Sequence, residues 1–205
     1  TNRYHLIANL YPMANIDHAP SRYMLNLLHV LPSFAAEGVA NVIVEVSAGS
    51  INKYEIITES GQLKLDRVGY SSLAYPFTYG AIPQTWDLDN DPLDIEIVNI
   101  TEPLVPGSVV EARIIGAMKF VDGGEVDDKI IAVLASDKRC DHIKTVADLG
   151  EYFIKETKYY WENYKALKKP GTGAVGEFLG VEEAIKIITE SQERYEKDYK
   201  PKLVA

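Results

Sequence analysis

Four carboxylates fall within eight residues at Asp87-Leu-Asp89-Asn-Asp91-Pro-Leu-Asp94, directly before an apolar run containing Ile95, Ile97 and Val98. Two bare charges about 4 Å apart repel by roughly 4 kcal/mol at an effective dielectric of about 20, so crowding of this kind calls for positive charge among the anions. Water, lysine and arginine relieve part of it. A hard divalent cation relieves more, and an oxygen-only donor set suits Mg²⁺ or Mn²⁺ rather than Zn²⁺. In extended chain Asp89 and Asp91 share one face about 7 Å apart, with Asp94 opposite. Pro92 cannot donate to a ladder and prefers turns or edges, and a turn lets all three carboxylates converge. A solvated acidic turn accounts for the same string, so both readings stay open at this point. An EF-hand does not fit, because the sixth position from Asp87 is Pro92 where glycine is required and the twelfth is Val98 where glutamate is required.

Other residues gain meaning only in company. Asp122, Glu125, Asp127 and Asp128 precede Lys129 around the loop Val121-Asp-Gly-Gly-Glu; alone this is a charged hairpin turn. Lys53 and Glu55 share a strand face and read as a surface ion pair unless a cleft claims them. Glu45 interrupts the apolar run Val42-Ile-Val-Glu-Val46, and a buried carboxylate needs partners. Arg67 follows an alternating strand pattern, Tyr75-Pro-Phe-Thr-Tyr79-Gly runs toward the acidic segment, and Tyr164-Lys165 ends a helical stretch. Gly171-Thr-Gly173-Ala-Val-Gly176 has the glycine spacing of a dinucleotide-binding turn but follows a helix end rather than a buried strand, so that reading is rejected. The four histidines (5, 18, 29 and 142) lack zinc-ligand spacing.

The elements that must position these residues come from a chain of 205 residues with a net charge of −9, 46% hydrophobic and 25% charged. That is the range of one globular domain, here residues 1–205. The negative balance argues against a broad grip on nucleic acid. One cysteine, Cys140, excludes an internal disulfide framework, and the apolar stretch Tyr23 to Phe34 is too short to span a bilayer, so a cytoplasmic protein without membrane contact is expected. Residues 1–36 read as an irregular arm and 39–135 as mainly β. Strands are expected at Val39–Val46, Lys53–Thr58 and Gln62–Val68, with a turn at Glu59-Ser60-Gly61, then at Ile95–Ile100, Ser108–Phe120 and Lys129–Ala135. Residues 145–200 are mainly helical, with helices at Thr145–Lys168 and Val181–Tyr199. Strands first and helices later predict an α+β fold, a closed β-barrel with helices packed outside.

Glu45, Lys53-Tyr-Glu55, Asp66-Arg67, Tyr75-Pro-Phe-Thr-Tyr79-Gly, Asp89-Asn-Asp91-Pro-Leu-Asp94, Asp122 with Asp127-Asp-Lys129, and Tyr164-Lys165 follow one another in an order that resembles the soluble family I inorganic pyrophosphatases. The resemblance covers roughly residues 39–200. It implies a compact, twisted OB-like barrel with flanking helices, and hydrolysis of pyrophosphate to two orthophosphates with several Mg²⁺ ions, Mn²⁺ being an alternative. Carried onto matching positions, it implies Asp89, Asp94 and Asp127 as ligands of a first metal and Asp94 as shared with a second. Asp122, Asp127 and Glu55 would serve the remaining metals, and Asp91 would be the general base. Lys53, Arg67, Lys129, Tyr164 and Lys165 would bind phosphate, with Tyr79 and Glu45, and Tyr75 beside them, in support. Asp87 is expected to be a bystander. Asp122 is followed by Gly123, where many members carry a second carboxylate. The chain length resembles the hexameric prokaryotic members, although Tyr159, Tyr160 and Asn163 replace histidines that some of them use between subunits. A nucleotide or polyphosphate hydrolase and an OB-like single-stranded nucleic-acid module are the rival readings; the second requires a basic aromatic groove.

Overall fold

The computed structural model describes residues 25–200. Its centre is a ring of five strands: β2 (Val39–Val46), β5 (Thr78–Ala81), β6 (Asp94–Ile97), β7 (Val109–Asp122) and β9 (Lys129–Leu134). β2 pairs with β5 and β5 with β6, both antiparallel; β6 runs parallel to β9; β9 pairs antiparallel with β7, and β7 returns to β2. The ring is therefore closed, which removes exposed edges. The 14-residue β7 makes closure possible. Its first half serves β2, and its second half also pairs with β8 (Glu125–Val126) and β10 (Gly173–Leu179).

Strand alternation sorts side chains onto two cores. Ile95 and Ile97 of β6, Ile130 and Ala132 of β9 and Ala112 and Ile114 of β7 join an aliphatic core that Ala184 and Ile188 of a late helix, α3 (Val181–Arg194), cover. The opposite face gathers Tyr75, Phe77, Tyr79 and Phe120 against Tyr160 and Trp161 of α2 (Gly150–Asn163). Asp94, Glu96, Lys129 and Ile131 alternate out of the aliphatic set and toward this aromatic side. Gly80 is required by close strand approach, since a Cβ there would run into the Ile43 carbonyl of β2.

Most expected elements form. β2 has the expected bounds, and β3 (Asn52–Ile56) and β4 (Leu63–Val68) make a hairpin through the expected turn, where Gly61 has φ +71° and its N–H donates to the Ile57 carbonyl at 2.7 Å. Several expectations need correction. Of the stretch read as an irregular arm, residues 1–24 lie outside the described residues. The remainder contains one helical turn, α1 (Leu27–Val30), capped by the Asn26 side chain, and the strand β1 (Phe34–Ala36). The helix expected over 145–168 is split, because Gly150 adopts φ +81° after a 3₁₀ turn at Val146–Leu149, and it ends at Asn163. The last helix ends at Arg194 and continues as a π-helical turn, Tyr195–Tyr199. The glycine-rich 171–176 segment opens β10, and Gly173 lies where a Cβ would strike the Trp161 carbonyl. Among the described residues no helix is long and apolar enough to cross a membrane.

Candidate active site

The acidic loop is a tight turn rather than extended chain. The Asp87 N–H donates to the Asp91 carbonyl at 2.7 Å and the Asn90 N–H to the Asp87 carbonyl at 3.2 Å, while Asn90 takes φ +67°, a conformation asparagine tolerates well. The Asp91 N–H donates to Asp89 Oδ1 at 3.2 Å, and the Thr85 hydroxyl accepts from the Leu93 N–H at 2.9 Å to close the loop onto β6. Asp89, Asp91 and Asp94 are thereby gathered at the mouth of the barrel.

Lys129 stands at the centre of the floor. It is 1% exposed, and its ammonium donates to both Asp94 and Asp127. It lies 5.2 Å from the Trp161 ring centroid and 5.6 Å from those of Phe120 and Tyr79, an arrangement that favours a desolvated cation. Burial works against its charge, but Asp94 and Asp127 hold its pKa above the ordinary lysine value. Asp94 is kept below the usual carboxylate range: burial opposes this, and Lys129, Lys53 and the Tyr79 hydroxyl prevail. The other carboxylates fare differently. Burial, then Asp94, pushes Asp89 up to about 6 and Asp91 up to about 7. Asp91 is exposed to solvent at the surface of the loop. Asp127 also rises to about 7, because burial and Asp94 outweigh its contact with Lys129.

The hairpin β3–β4 forms one wall. Glu45 on β2 accepts from the Ile56 N–H at 2.8 Å, which fastens the hairpin to the barrel, and burial followed by Asp94 raises its pKa to about 8. Lys53 pairs with Glu55 at 2.5 Å, Arg67 pairs with Asp66 at 2.5 Å, and Lys53 and Arg67 are cross-strand partners. Lys53, Arg67, Tyr75 and Tyr164 line one recess. From the edge of this recess, the Tyr164 hydroxyl donates to Asp122 Oδ2 at 2.8 Å and the Lys165 ammonium donates to the same oxygen. Burial raises the Asp122 pKa, but these two donors bring it below the ordinary value. The carboxylates and cations singled out from the sequence are thus within electrostatic reach of one another, Lys53 acting on Asp91 and Asp94, Lys129 on Asp89, Asp94 and Asp127, and Asp122 joining through Lys165 and Lys129.

A family model described as inorganic pyrophosphatase matches residues 42–196. The chain belongs to the inorganic pyrophosphatase family. A protein named inorganic pyrophosphatase from Neisseria meningitidis serogroup A is 47% identical over 161 residues, which cover 78% of this chain and 90% of that protein. A soluble inorganic pyrophosphatase from Zea mays is 43% identical over 160 residues, 78% of this chain and 74% of its own length. The crystal structure of an inorganic pyrophosphatase from Neisseria gonorrhoeae superposes with a TM-score of 0.80 at 43% identity, covering 83% of this chain and 99% of that one. The closed ring of strands with two late helices is accordingly the OB-like α+β fold of this pyrophosphatase family.

The fit to a divalent cation rests on donor chemistry. Among the described residues no group of three or more His, Cys, Asp or Glu side chains is arranged to hold a metal ion as it stands. Lysine ammoniums lie between the carboxylates instead, with Lys129 between Asp94 and Asp127 and Lys165 on Asp122. The donors are hard oxygens, and burial together with the charge of Asp94 raises the pKa values of Asp89, Asp91 and Asp127. A divalent cation among these oxygens would favour their ionised forms and relieve the repulsion from Asp94, so the donor set suits Mg²⁺ or Mn²⁺.

Several features escape a reading of the sequence. Glu96 is fully buried; its Oε1 accepts from Trp161 Nε1 at 2.6 Å, its Oε2 has no partner, and burial raises its pKa to about 8. A carboxylate inside Ile95-Glu-Ile97 carries the same signal as Glu45. The aromatic floor of Phe120 and Trp161 leaves no local trace. Asp87, expected to stand aside, is buried and paired with Arg194 at 2.8 Å. Lys168 lies over the Tyr70 ring, 5.1 Å from its centroid, beside Arg67 at the rim of the recess.

Proposed function

We propose that this protein hydrolyses pyrophosphate to two orthophosphates, with Asp91 as the general base. Asp91 carries this reading: it is the carboxylate raised to about 7 that opens to solvent, and a base works best when its pKa lies near the working pH. Mg²⁺ ions held by Asp89, Asp94 and Asp127, and more weakly by Asp122 and Glu55, would supply Lewis-acid charge and a water whose pKa falls toward about 7.

Asp91 takes one proton from the attacking water while the water oxygen forms a bond to one phosphorus and the bridging P–O bond breaks. Lys53 and Arg67 hold one phosphate from the hairpin side, and Lys129, Tyr164 and Lys165 hold the other from the floor and far wall. Little more is required, because positioning and electrostatics carry most of phosphoryl transfer. Glu45 fixes the hairpin, and the hydroxyls of Tyr79 and Tyr75 orient Asp94 and line the phosphate recess. We also infer a homo-oligomer, with a hexamer favoured, in the cytoplasm, the last in keeping with a single free cysteine, Cys140.

Phosphate release from pyrophosphate, adenosine triphosphate and tripolyphosphate, each with Mg²⁺ or with EDTA, tests the proposal. Mg²⁺-dependent turnover that strongly prefers pyrophosphate is expected. Full activity in EDTA, or equal turnover of the longer substrates, would overturn it.

A further inference from the structure

Asp87 turns away from the carboxylates that face the cleft. It is 5% exposed, and its Oδ1 accepts from Arg194 Nη2 at 2.8 Å. The same guanidinium donates through Nε to the Trp86 carbonyl at 2.9 Å and through Nη2 to the Ser191 hydroxyl at 2.7 Å. The Trp86 N–H in turn donates to the Ser191 carbonyl at 2.9 Å. The last turn of α3 therefore grips the backbone and side chain of two consecutive residues, Trp86 and Asp87. Beyond the helix, the Tyr199 ring stacks on Trp86 with centroids 4.1 Å apart.

What Arg194 grips is also what sets the turn. The Asp87 N–H and carbonyl make the hydrogen bonds to Asp91 and Asn90 that shape the acidic loop. A shift of Asp87 would move Asp89 and Asp91 together relative to Asp94, which is fixed in β6. A guanidinium suits such a grip, because its planar fork donates in several fixed directions at once, which an ammonium on a flexible stem does not reproduce.

We propose that Arg194, acting through Asp87, is a positioning residue that holds the acidic loop in register with Asp94 for divalent-cation binding. The inference rests on the pyrophosphatase reading of the loop and extends it to the far C-terminal helix. Supporting contacts around metal ligands typically change affinity about 10–100-fold when removed.

Direct Mn²⁺ binding, followed by electron paramagnetic resonance of the free ion, tests this on full-length wild type, Arg194→Gln, Arg194→Lys and Asp87→Asn. Thermal unfolding, amide hydrogen exchange over residues 86–94, and KM and kcat for pyrophosphate are measured alongside. Arg194→Gln is expected to weaken Mn²⁺ binding about tenfold or more and to speed exchange in the loop, with Arg194→Lys recovering only part. The double variant Asp87→Asn/Arg194→Gln should bind no more weakly than the single one. Unchanged Mn²⁺ affinity and loop exchange with a lowered Tm would make Arg194 a structural residue only and overturn the proposal. If Arg194→Gln does not fold, Asp87→Asn decides by the same two readouts, since it keeps an acceptor and removes only the charge. A wild-type protein that neither binds Mn²⁺ nor cleaves pyrophosphate would overturn the functional reading itself, whereas normal wild-type behaviour with insensitive variants would overturn only the role of Arg194.

Discussion

Replacing Lys129 by methionine keeps most of the side chain's length and apolar stem and deletes the ammonium that Asp94 and Asp127 share. The site it leaves is poorly hydrated, because the side chain is 1% exposed and is covered by Tyr79, Phe120 and Trp161. Two like charges about 5 Å apart repel by roughly 3 kcal/mol at an effective dielectric of about 20, and removing one partner of a buried pair costs about 3–5 kcal/mol. The lower end is expected, since Lys53 still attracts Asp94 and Asp127 has a pKa near 7 and takes up a proton. A loss of about 3 kcal/mol lowers Tm by roughly 6–12 °C in a domain of this size.

The pH dependence follows from the same contacts. The Asp94 carboxylate, held below its usual range, stabilises the fold above the ordinary carboxylate pKa, and that contribution is lost as pH falls through its folded value. Lys129, held above its usual value, stabilises the fold below the ordinary lysine pKa and loses its effect only in strong alkali. The deficit of Lys129→Met should therefore be largest between about pH 8 and 9 and should shrink toward pH 4, where both carboxylates of the variant, no longer held down by the ammonium, protonate. Urea unfolding followed by circular dichroism in EDTA at pH 5 and pH 8, with m-values compared, measures it. Saturating Mg²⁺ should recover part of the loss at pH 8. A variant within about 0.5 kcal/mol of wild type at pH 8 in EDTA, a difference typical of surface changes, would refute the account of the floor.

Glu96→Gln keeps an acceptor for the Trp161 indole while removing a charge. The raised pKa of Glu96, from 4.5 to about 8, means its stability contribution is lost as pH rises through that window, a cost of up to about 5 kcal/mol at roughly 1.4 kcal/mol per pKa unit. Urea titrations should show the variant close to wild type at pH 5 and about 2–4 kcal/mol more stable at pH 8; a gap independent of pH would contradict this. Gly80→Ala places a methyl against the Ile43 carbonyl and Val42 Cγ1 and should cost about 3 kcal/mol or abolish folding, as calorimetry would show. Gly107→Ala, with φ +87° and open space around it, should cost only about 1–2 kcal/mol by the same calorimetric comparison.

Legibility in the sequence tracks the range of the forces involved. Val39–Val46 and the β3–β4 hairpin are readable because alternation and the Glu59–Gly61 turn are local signals. β10 is not, because Gly173–Leu179 becomes a strand only through pairing with the far end of β7, where Gly173 meets Asp122. β5 is hidden in an aromatic run that reads equally well as packing, and the break before α2 depends on Gly150 adopting a positive φ. The carboxylates and cations of the cleft are conspicuous, since clustered charge is costly wherever it occurs. Their supports are not: the Glu96–Trp161 bond spans 65 residues and the Arg194–Asp87 pair spans 107, so although Glu96 and Asp87 stand out as charges, nothing local names their partners.

The most direct test of the central claim is the rate of phosphate release from pyrophosphate at saturating Mg²⁺ for wild type and Asp91→Asn, with Mn²⁺ binding measured on both. Loss of a general base predicts a kcat lowered about 10²–10⁴-fold while Asp89 and Asp94 still bind the ion. An Asp91→Asn protein that turns over pyrophosphate at the wild-type rate would contradict the assignment of the base.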